Sequence, residues 1–252
     1  MAMHSVRSPI RAAIAALLIL VPTAAHAQDA AAEPPVLLPG DEAVDGRRIA
    51  PGTTELRLLV SQNGQVQQLA TITEQIREVE VEGRAALERV QIVRMPMGVA
   101  TDTVVVLRET LAPVRHRSHN PQRVMALDFA GAKITGTITP ASGAVQPIDV
   151  ELDGPVFDSN PLDLVVRALP LAEGYAVSIP LYLHEAGGKF QVVARVTGSE
   201  AVDLGDGATE DAWVVDVEAA GQSSRFWISK TSREMLRQGS SPAPGVELEI
   251  VR

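Results

Sequence analysis

Residues 157–174, FDSNPLDLVVRALPLAEG, interrupt a chain that otherwise alternates like β-strand, so they decide the fold. Asp158, Ser159 or Asn160 can cap a helix. Pro161 suits the first helical turn, because its missing N–H costs little there. The stretch therefore predicts one short helix in the middle of a β-rich chain.

The predicted helix has one strongly apolar face. Pro170 limits the helix to two or three turns, and Gly174 allows the chain to turn into the next strand. So short a helix is not stable alone in water, and we expect it to pack on the sheet. The residues that recur at helical spacing on this face are Leu162, Val165, Val166 and Leu169.

On both sides of the helix the hydrophobic period is two, as in strands with one buried face. Asn63-Gly64 is a strong hairpin signal between two such runs. Further along, Val90 and Ile92 share a face, and after the helix so do Ile179 and Leu181. Ten or more strands with short turns predict a mainly β fold, built as a long antiparallel meander.

The first 27 residues have the basic, apolar and small-residue regions of a secretory signal peptide in that order. We predict cleavage after Ala27 and a periplasmic protein; an uncleaved membrane anchor is the alternative. Residues 28–52 lack a sustained period and predict a flexible N-terminal arm. Residues 53–252 predict a single β-rich domain.

The composition limits the partners. The net charge is −9, and the leader holds two arginines and no acid, so the exported chain is still more acidic. An acidic chain repels phosphate backbones, so we expect no nucleic acid partner. Anionic lipid headgroups are disfavoured too, and any lipid contact has to be made by apolar surface. The absence of cysteine excludes disulfides, a thiol nucleophile and a lipidated cysteine.

No constellation of residues predicts catalysis, a metal or a cofactor. Serine hydrolase and phosphate-binding glycine motifs are absent. His116 and His119 are three apart in a strand and face opposite ways, so a solvated basic strand end is expected there. Asp149, Glu151 and Asp153 alternate like an exposed strand face. We therefore expect a protein that is not an enzyme.

The aromatic residues cluster late in the chain. Phe226 and Trp227 are adjacent in a strand and must point to opposite faces, so one of them needs cover away from the main core. The helix or the N-terminal arm is the expected cover. Two interpretations stay open: an ordinary core, and a lined cavity for an apolar ligand.

Several motifs between about Val99 and Arg237 carry a family resemblance: the helix stretch, then AWVVDV, then SSRFWISKTSREMLR. The pattern resembles a group of exported bacterial β-rich proteins of unknown function. That group is distantly similar to the periplasmic lipoprotein carriers (LolA-like proteins). The resemblance implies a curved, incompletely closed β-barrel whose concave face is covered by a helix and binds acyl chains.

The favoured hypothesis is a soluble periplasmic protein that binds a hydrophobic ligand, such as a lipid or acyl chain, without catalysis. The alternative is a structural or protein-interaction module of the cell envelope without a cavity. Under either hypothesis, the protein is not expected to be an integral membrane protein. The residues predicted to line the ligand site are Leu162, Val165, Val166, Leu169, Ile179, Leu181, Val192, Val196, Trp213 and Phe226.

Overall fold

The computed structural model describes residues 33–205, 207–219 and 221–252. The predicted signal peptide lies outside these residues. The fold is mainly β, with 65% of the described residues in strands, and the predicted fold class is confirmed. In the described part of the chain, no helix is both long and apolar enough to span a bilayer.

In the described part of the chain, fifteen strands and one α-helix follow a short 3₁₀ helix at Gly46–Arg48. The helix α1 is Leu162–Ala168. The strands before it are β1 Gly52–Gln62, β2 Gln65–Val81, β3 Arg84–Met95, β4 Gly98–Leu107, β5 Pro113–Asn120, β6 Arg123–Ala130, β7 Lys133–Pro140, β8 Gln146–Glu151 and β9 Phe157–Asp158. Those after it are β10 Ala176–Leu183, β11 Gly188–Asp203, β12 Thr209–Ala219, β13 Gln222–Ser229, β14 Met235–Ala243 and β15 Val246–Val251.

All fifteen strands form one open sheet made of two meanders. The order is β8-β7-β6-β5-β4-β3-β2-β1-β15-β14-β13-β12-β11-β10-β9. Strands β1 and β15 join the meanders through an antiparallel pairing from Arg57↔Val251 to Gln62↔Val246. The chain then crosses from the β8 edge to the β9 edge through residues 152–156 alone, so the sheet is rolled without closing.

The β9–β10 edge is tucked onto the concave face of the opposite half of the sheet. One face of β10 packs in the main core through Ile179 and Leu181. The other face places Tyr182 in a second cluster with Leu127 of β6 and Ile134 of β7. Strand β10 is therefore buried on both faces, although its sequence alternates like a strand with one wet face.

Helix α1 lies inside this roll, against the concave face of the sheet. Its apolar residues Val165 and Val166 are fully buried, as predicted. The predicted cap is wrong: the N-cap is Pro161, with no side-chain capping bond. Asp158 belongs to β9, and its carboxylate accepts a hydrogen bond from the Asn160 N–H. It therefore stabilises the turn that precedes the helix.

The N-terminal segment is docked in residues 33–52, where the sequence predicts a flexible arm. Leu37, Val44 and Ile49 are buried in the main core. The Arg48 guanidinium donates to the Ala168 carbonyl at the end of α1, at 2.7 Å. The arm prediction fails here because burial of these spaced apolar side chains offsets the entropy of ordering the segment.

Candidate functional site

A cluster of charged and polar side chains lies between α1 and strands β2–β5. Strand pairing sets Glu74, Gln91, Asp102 and Ser118 in one row across the concave face. Arg89 and His116 belong to the next row, separated by Val104. Because most residues packed on this face are apolar, the cluster is the main group of charges in the interior.

Arg89 is at the centre of the cluster and only 2% exposed. Its guanidinium donates to Asp163 of α1 at 2.5 Å and to the Asn160 side chain at 2.7 Å. Glu74 lies 3.7 Å from it. Arg167, one turn after Asp163 on the helix, lies 3.6 Å from Glu74. Two anions and two cations therefore tie α1 to β2 and β3.

Burial and charge compete in this cluster. Desolvation raises the pKa of Glu74, with Asp163 adding to it and the two arginines opposing it. For Arg89, burial alone would lower the pKa, but Asp163 and Glu74 outweigh it and raise the pKa. The guanidinium is thus a permanent buried cation, and its neutralisation depends on the helix carboxylate.

A second branch of the cluster centres on His116 of β5, which is 1% exposed. Its Nδ1 lies 2.9 Å from the Asp158 carboxylate on β9. Its Nε2 lies 3.3 Å from Asp102 on β4. The His116 ring also meets the His184 ring edge-on, with centroids 6.2 Å apart. The imidazole thus links the tucked-in edge of the sheet to its concave face.

The two carboxylates hold His116 in its charged form. Burial would lower its pKa, but Asp158 and Asp102 outweigh burial and raise the pKa to about 9. Burial would likewise raise the pKa of Asp102, but hydrogen bonds from His116 and Ser118 lower it. An imidazolium that is buried and protonated at neutral pH is a poor general base. Its geometry fits a structural ion pair.

The prediction of a solvated strand end is therefore wrong for His116, whereas His119 is exposed. Asp149, Glu151 and Asp153 are exposed, as the alternation predicts. Within the described residues, no group of three or more His, Asp or Glu side chains is arranged to hold a metal ion.

All ten residues predicted to line a ligand site are in or against the main core. Leu162 and Trp213 are half-buried against it, and the other eight are buried members. The space found between α1 and the sheet measures about 10 Å³ and is bounded by Leu56, Glu74, Arg167 and others. A cavity of this size holds at most one water molecule. The eight buried members are each at most 4% exposed, so their side chains pack against one another on the concave face.

Phe226 and Trp227 do face opposite sides of β13, as predicted, with Phe226 in the main core and Trp227 in a small outer cluster. Among the described residues, neither the helix nor the arm covers Trp227, which packs with Ala212, Val214 and Leu236. The Arg237 guanidinium lies 4.6 Å from the ring centroid, and the indole N–H donates to Glu200 at 2.8 Å. An open groove of about 400 Å³ runs beside it on the outer face.

The missed residues have a detectable signal in the sequence. Glu74 shares the parity of buried Ile72 and Ile76, and Arg89 shares that of buried Leu87. Charged residues on an apolar strand face predict either burial with a partner or the end of the buried face. The i, i+4 pair of Asp163 and Arg167 is the matching signal on the helix.

The fold and the cluster define a rolled, open β-sheet protein with one internal helix held by buried ion pairs. The chain belongs to the DUF3108 family of proteins of unknown function, whose model matches residues 59–250. A DUF1329 family protein from Desulfovibrio piger is similar in structure, with 12% identity, a TM-score of 0.30, and coverage of 79% of this chain and 82% of that one. No curated protein matches the chain.

Proposed function

We propose that the chain is an exported, non-catalytic binding module of the cell envelope that acts through its outer surface. The observation that carries this proposal is the filled concave face. Val166, Leu169 and Ile179 are each 0% exposed, so helix and sheet meet without room for an acyl chain. The buried, protonated His116 supports a non-catalytic role.

Native mass spectrometry of the protein recovered from an exporting cell tests the proposal. We expect the mass of a polypeptide that begins at Gln28, without a bound lipid. A stoichiometric apolar adduct that detergent releases would overturn the proposal of a surface-acting module. A mass that retains residues 1–27 would contradict only the predicted export and cleavage.

A carrier of hydrophobic ligands is the second candidate, in which an acyl chain takes the place of α1. It is supported by the curved sheet with a covered concave face and by the cost of keeping four charges buried under α1. Saturable, stoichiometric binding of a fluorescent fatty acid tests it. If the ligand displaces the helix, Val166→Ala should bind the fatty acid more tightly than the wild-type protein, because the substitution weakens the packing of the helix. If neither the wild-type protein nor Val166→Ala binds the fatty acid, the carrier function is contradicted.

A further inference from the structure

The two ends of the rolled sheet differ in charge. Consecutive antiparallel strands reverse direction, so the turns after β1, β3, β5 and β7 lie at one end. The pairing Gln62↔Val246 places the β14–β15 turn beside them. These five turns are neighbours along the sheet and contain no Asp, Glu, Lys or Arg: they are residues 63–64, 96–97, 121–122, 141–145 and 244–245.

The uncharged character extends well into the strands. Residues 58–73 and 134–148 are free of those four residue types, and so are the shorter segments 95–101 and 238–246. The turns at the opposite end carry Glu82, Arg108 and Glu109 and several more charges. Charge does occur at this end, in Arg123 beside the turn at 121–122 and in Glu185 of the β10–β11 turn, and these two side chains pair with each other at 3.6 Å. In a chain of net charge −9, a row of five neighbouring turns without charge is still a feature of one surface and does not follow from the composition.

The exposed apolar side chains are concentrated at the same end. Of the six large hydrophobic residues that are exposed among the described residues, five lie in these turns or within three residues of them: Val66, Met97, Val99, Val124 and Val145. Val66, Met97 and Val145 are 67%, 66% and 61% exposed. We name the five turns with Val66, Val99 and Val124 the uncharged rim. Exposed apolar side chains that gather at one end of a fold indicate an interaction site.

We propose that the uncharged rim docks on the surface of a lipid bilayer, with Val66, Met97 and Val145 entering the interfacial region. This proposal rests on the proposed function and names the partner of that surface. The charge distribution favours lipid: the acidic chain is repelled by anionic headgroups, and a row of uncharged, apolar turns is the part that approaches without that cost. Projecting turns can also insert into the interface of a fluid bilayer, which needs no preformed groove to receive them.

The cysteine-free chain allows a site-specific test in the full-length protein. An environment-sensitive dye is attached to Met97→Cys in the rim, and in a second variant to Thr231→Cys, in an exposed turn at the other end. Zwitterionic phosphatidylcholine vesicles that carry a lipid-attached quencher are then added. We expect quenching and a blue shift at position 97 and no change at position 231. Residues 1–32 are common to both proteins and do not alter the comparison.

Charge substitution in the rim gives the second readout. The double variant Met97→Asp with Val145→Asp should lower the partition onto the same vesicles by about tenfold, because two apolar contacts are lost. Val36→Asp is the matched control, since Val36 is 55% exposed but lies away from the rim. Its partition should equal that of the wild-type chain.

Three results distinguish the proposal of a lipid partner from the proposed function of a module that acts through its outer surface. Equal quenching at positions 97 and 231, or equal partition of the rim variant and the control, overturns docking through the rim. No vesicle binding, together with rim-dependent capture of one envelope protein, overturns the lipid partner and leaves the surface-acting module standing. A stoichiometric ligand inside the core overturns the proposed function itself, whatever the vesicles show.

Discussion

Single side chains in the interior explain why α1 is where it is. The charge of Arg89 is compensated by protein partners, because its side chain is only 2% exposed to solvent. Its closest anion, Asp163, comes from the helix and not from the sheet. Because an unpaired buried charge costs several kcal/mol, each of these residues makes the others necessary.

Arg89→Met should therefore destabilise the fold by about 3–5 kcal/mol, because it leaves Asp163 and Glu74 buried with one cation. Urea unfolding followed by tryptophan fluorescence measures this. Replacing both partners, Arg89→Met with Asp163→Leu, should recover much of the loss, since the remaining pair of Glu74 and Arg167 stays neutral.

The matched control for this experiment is Arg77→Met. Arg77 also pairs with a carboxylate, Glu88 at 2.5 Å, but its side chain is 61% exposed. Solvent screens such a pair, so the loss should stay within about 1 kcal/mol. Equal losses for Arg77→Met and Arg89→Met would contradict the role given to the buried cluster.

The His116 ion pairs make stability depend on pH. The folded pKa of about 9 lies above the reference value of 6.5, so the stabilisation is complete below pH 6.5 and is lost as the pH rises to about 9. The loss is at most about 3 kcal/mol, from a shift of roughly 2.5 pH units. Urea unfolding at pH 6.5 and pH 9 measures it.

His116→Gln should remove this part of the pH dependence, and His119→Gln, at an exposed position on the same strand, should leave it intact. The interpretation fails if the His116→Gln protein loses as much stability between the two pH values as the wild-type protein does.

At the scale of secondary structure, the alternation of apolar residues predicts the strands correctly. It does not predict which faces of those strands are buried. The Asn63-Gly64 turn and the alternation in β10 and β11 are as predicted. Val90 and Ile92 do share a face, but that face is the half-buried outer one, and Leu87 and Arg89 point inward. Apolar content alone did not identify the inner face of β3 because a partnered arginine occupies it.

Pairing of β6 and β7 depends on a glycine. Gly136 has φ +154°, and a Cβ there would overlap the Ala126 carbonyl oxygen. Gly136→Ala should cost about 3 kcal/mol or more, through backbone strain and overpacking. Thermal or urea unfolding measures the change.

Gly188→Ala is the control, because Gly188 also lies in a strand but a Cβ there meets open space. Its effect should stay within about 0.5 kcal/mol, as at other unconstrained surface positions. A loss at Gly188 as large as that at Gly136 would contradict the explanation by close approach to the Ala126 carbonyl.

The complete sheet holds together because its first and last strands pair. The β1–β15 ladder is the link between the two meanders, and the docked N-terminal segment adds Ile49 to the same core. We therefore expect one cooperative unfolding transition for the described residues, since neither meander covers its concave face alone.

A chain that ends at Gly245 lacks β15 and should aggregate, because β1 and β14 become open edges beside exposed core. Size-exclusion chromatography and urea unfolding measure this. A chain that ends at Val251 keeps β15 and loses only Arg252, so it should elute at the same volume as the full chain. An unchanged elution volume together with an unchanged unfolding midpoint after removal of β15 would contradict the linking role.

Local chemistry determined much of this protein: the strands, the turns, the single helix at Pro161, and the opposed directions of Phe226 and Trp227 follow from the side chains themselves. Long-range packing determined the rest: the roll that buries both faces of β10, the ordered N-terminal segment, and the charges of Arg89 and His116 inside the core. The reason is physical. Periodicity tells which side chains share a face, whereas burial of that face depends on a distant segment that covers it.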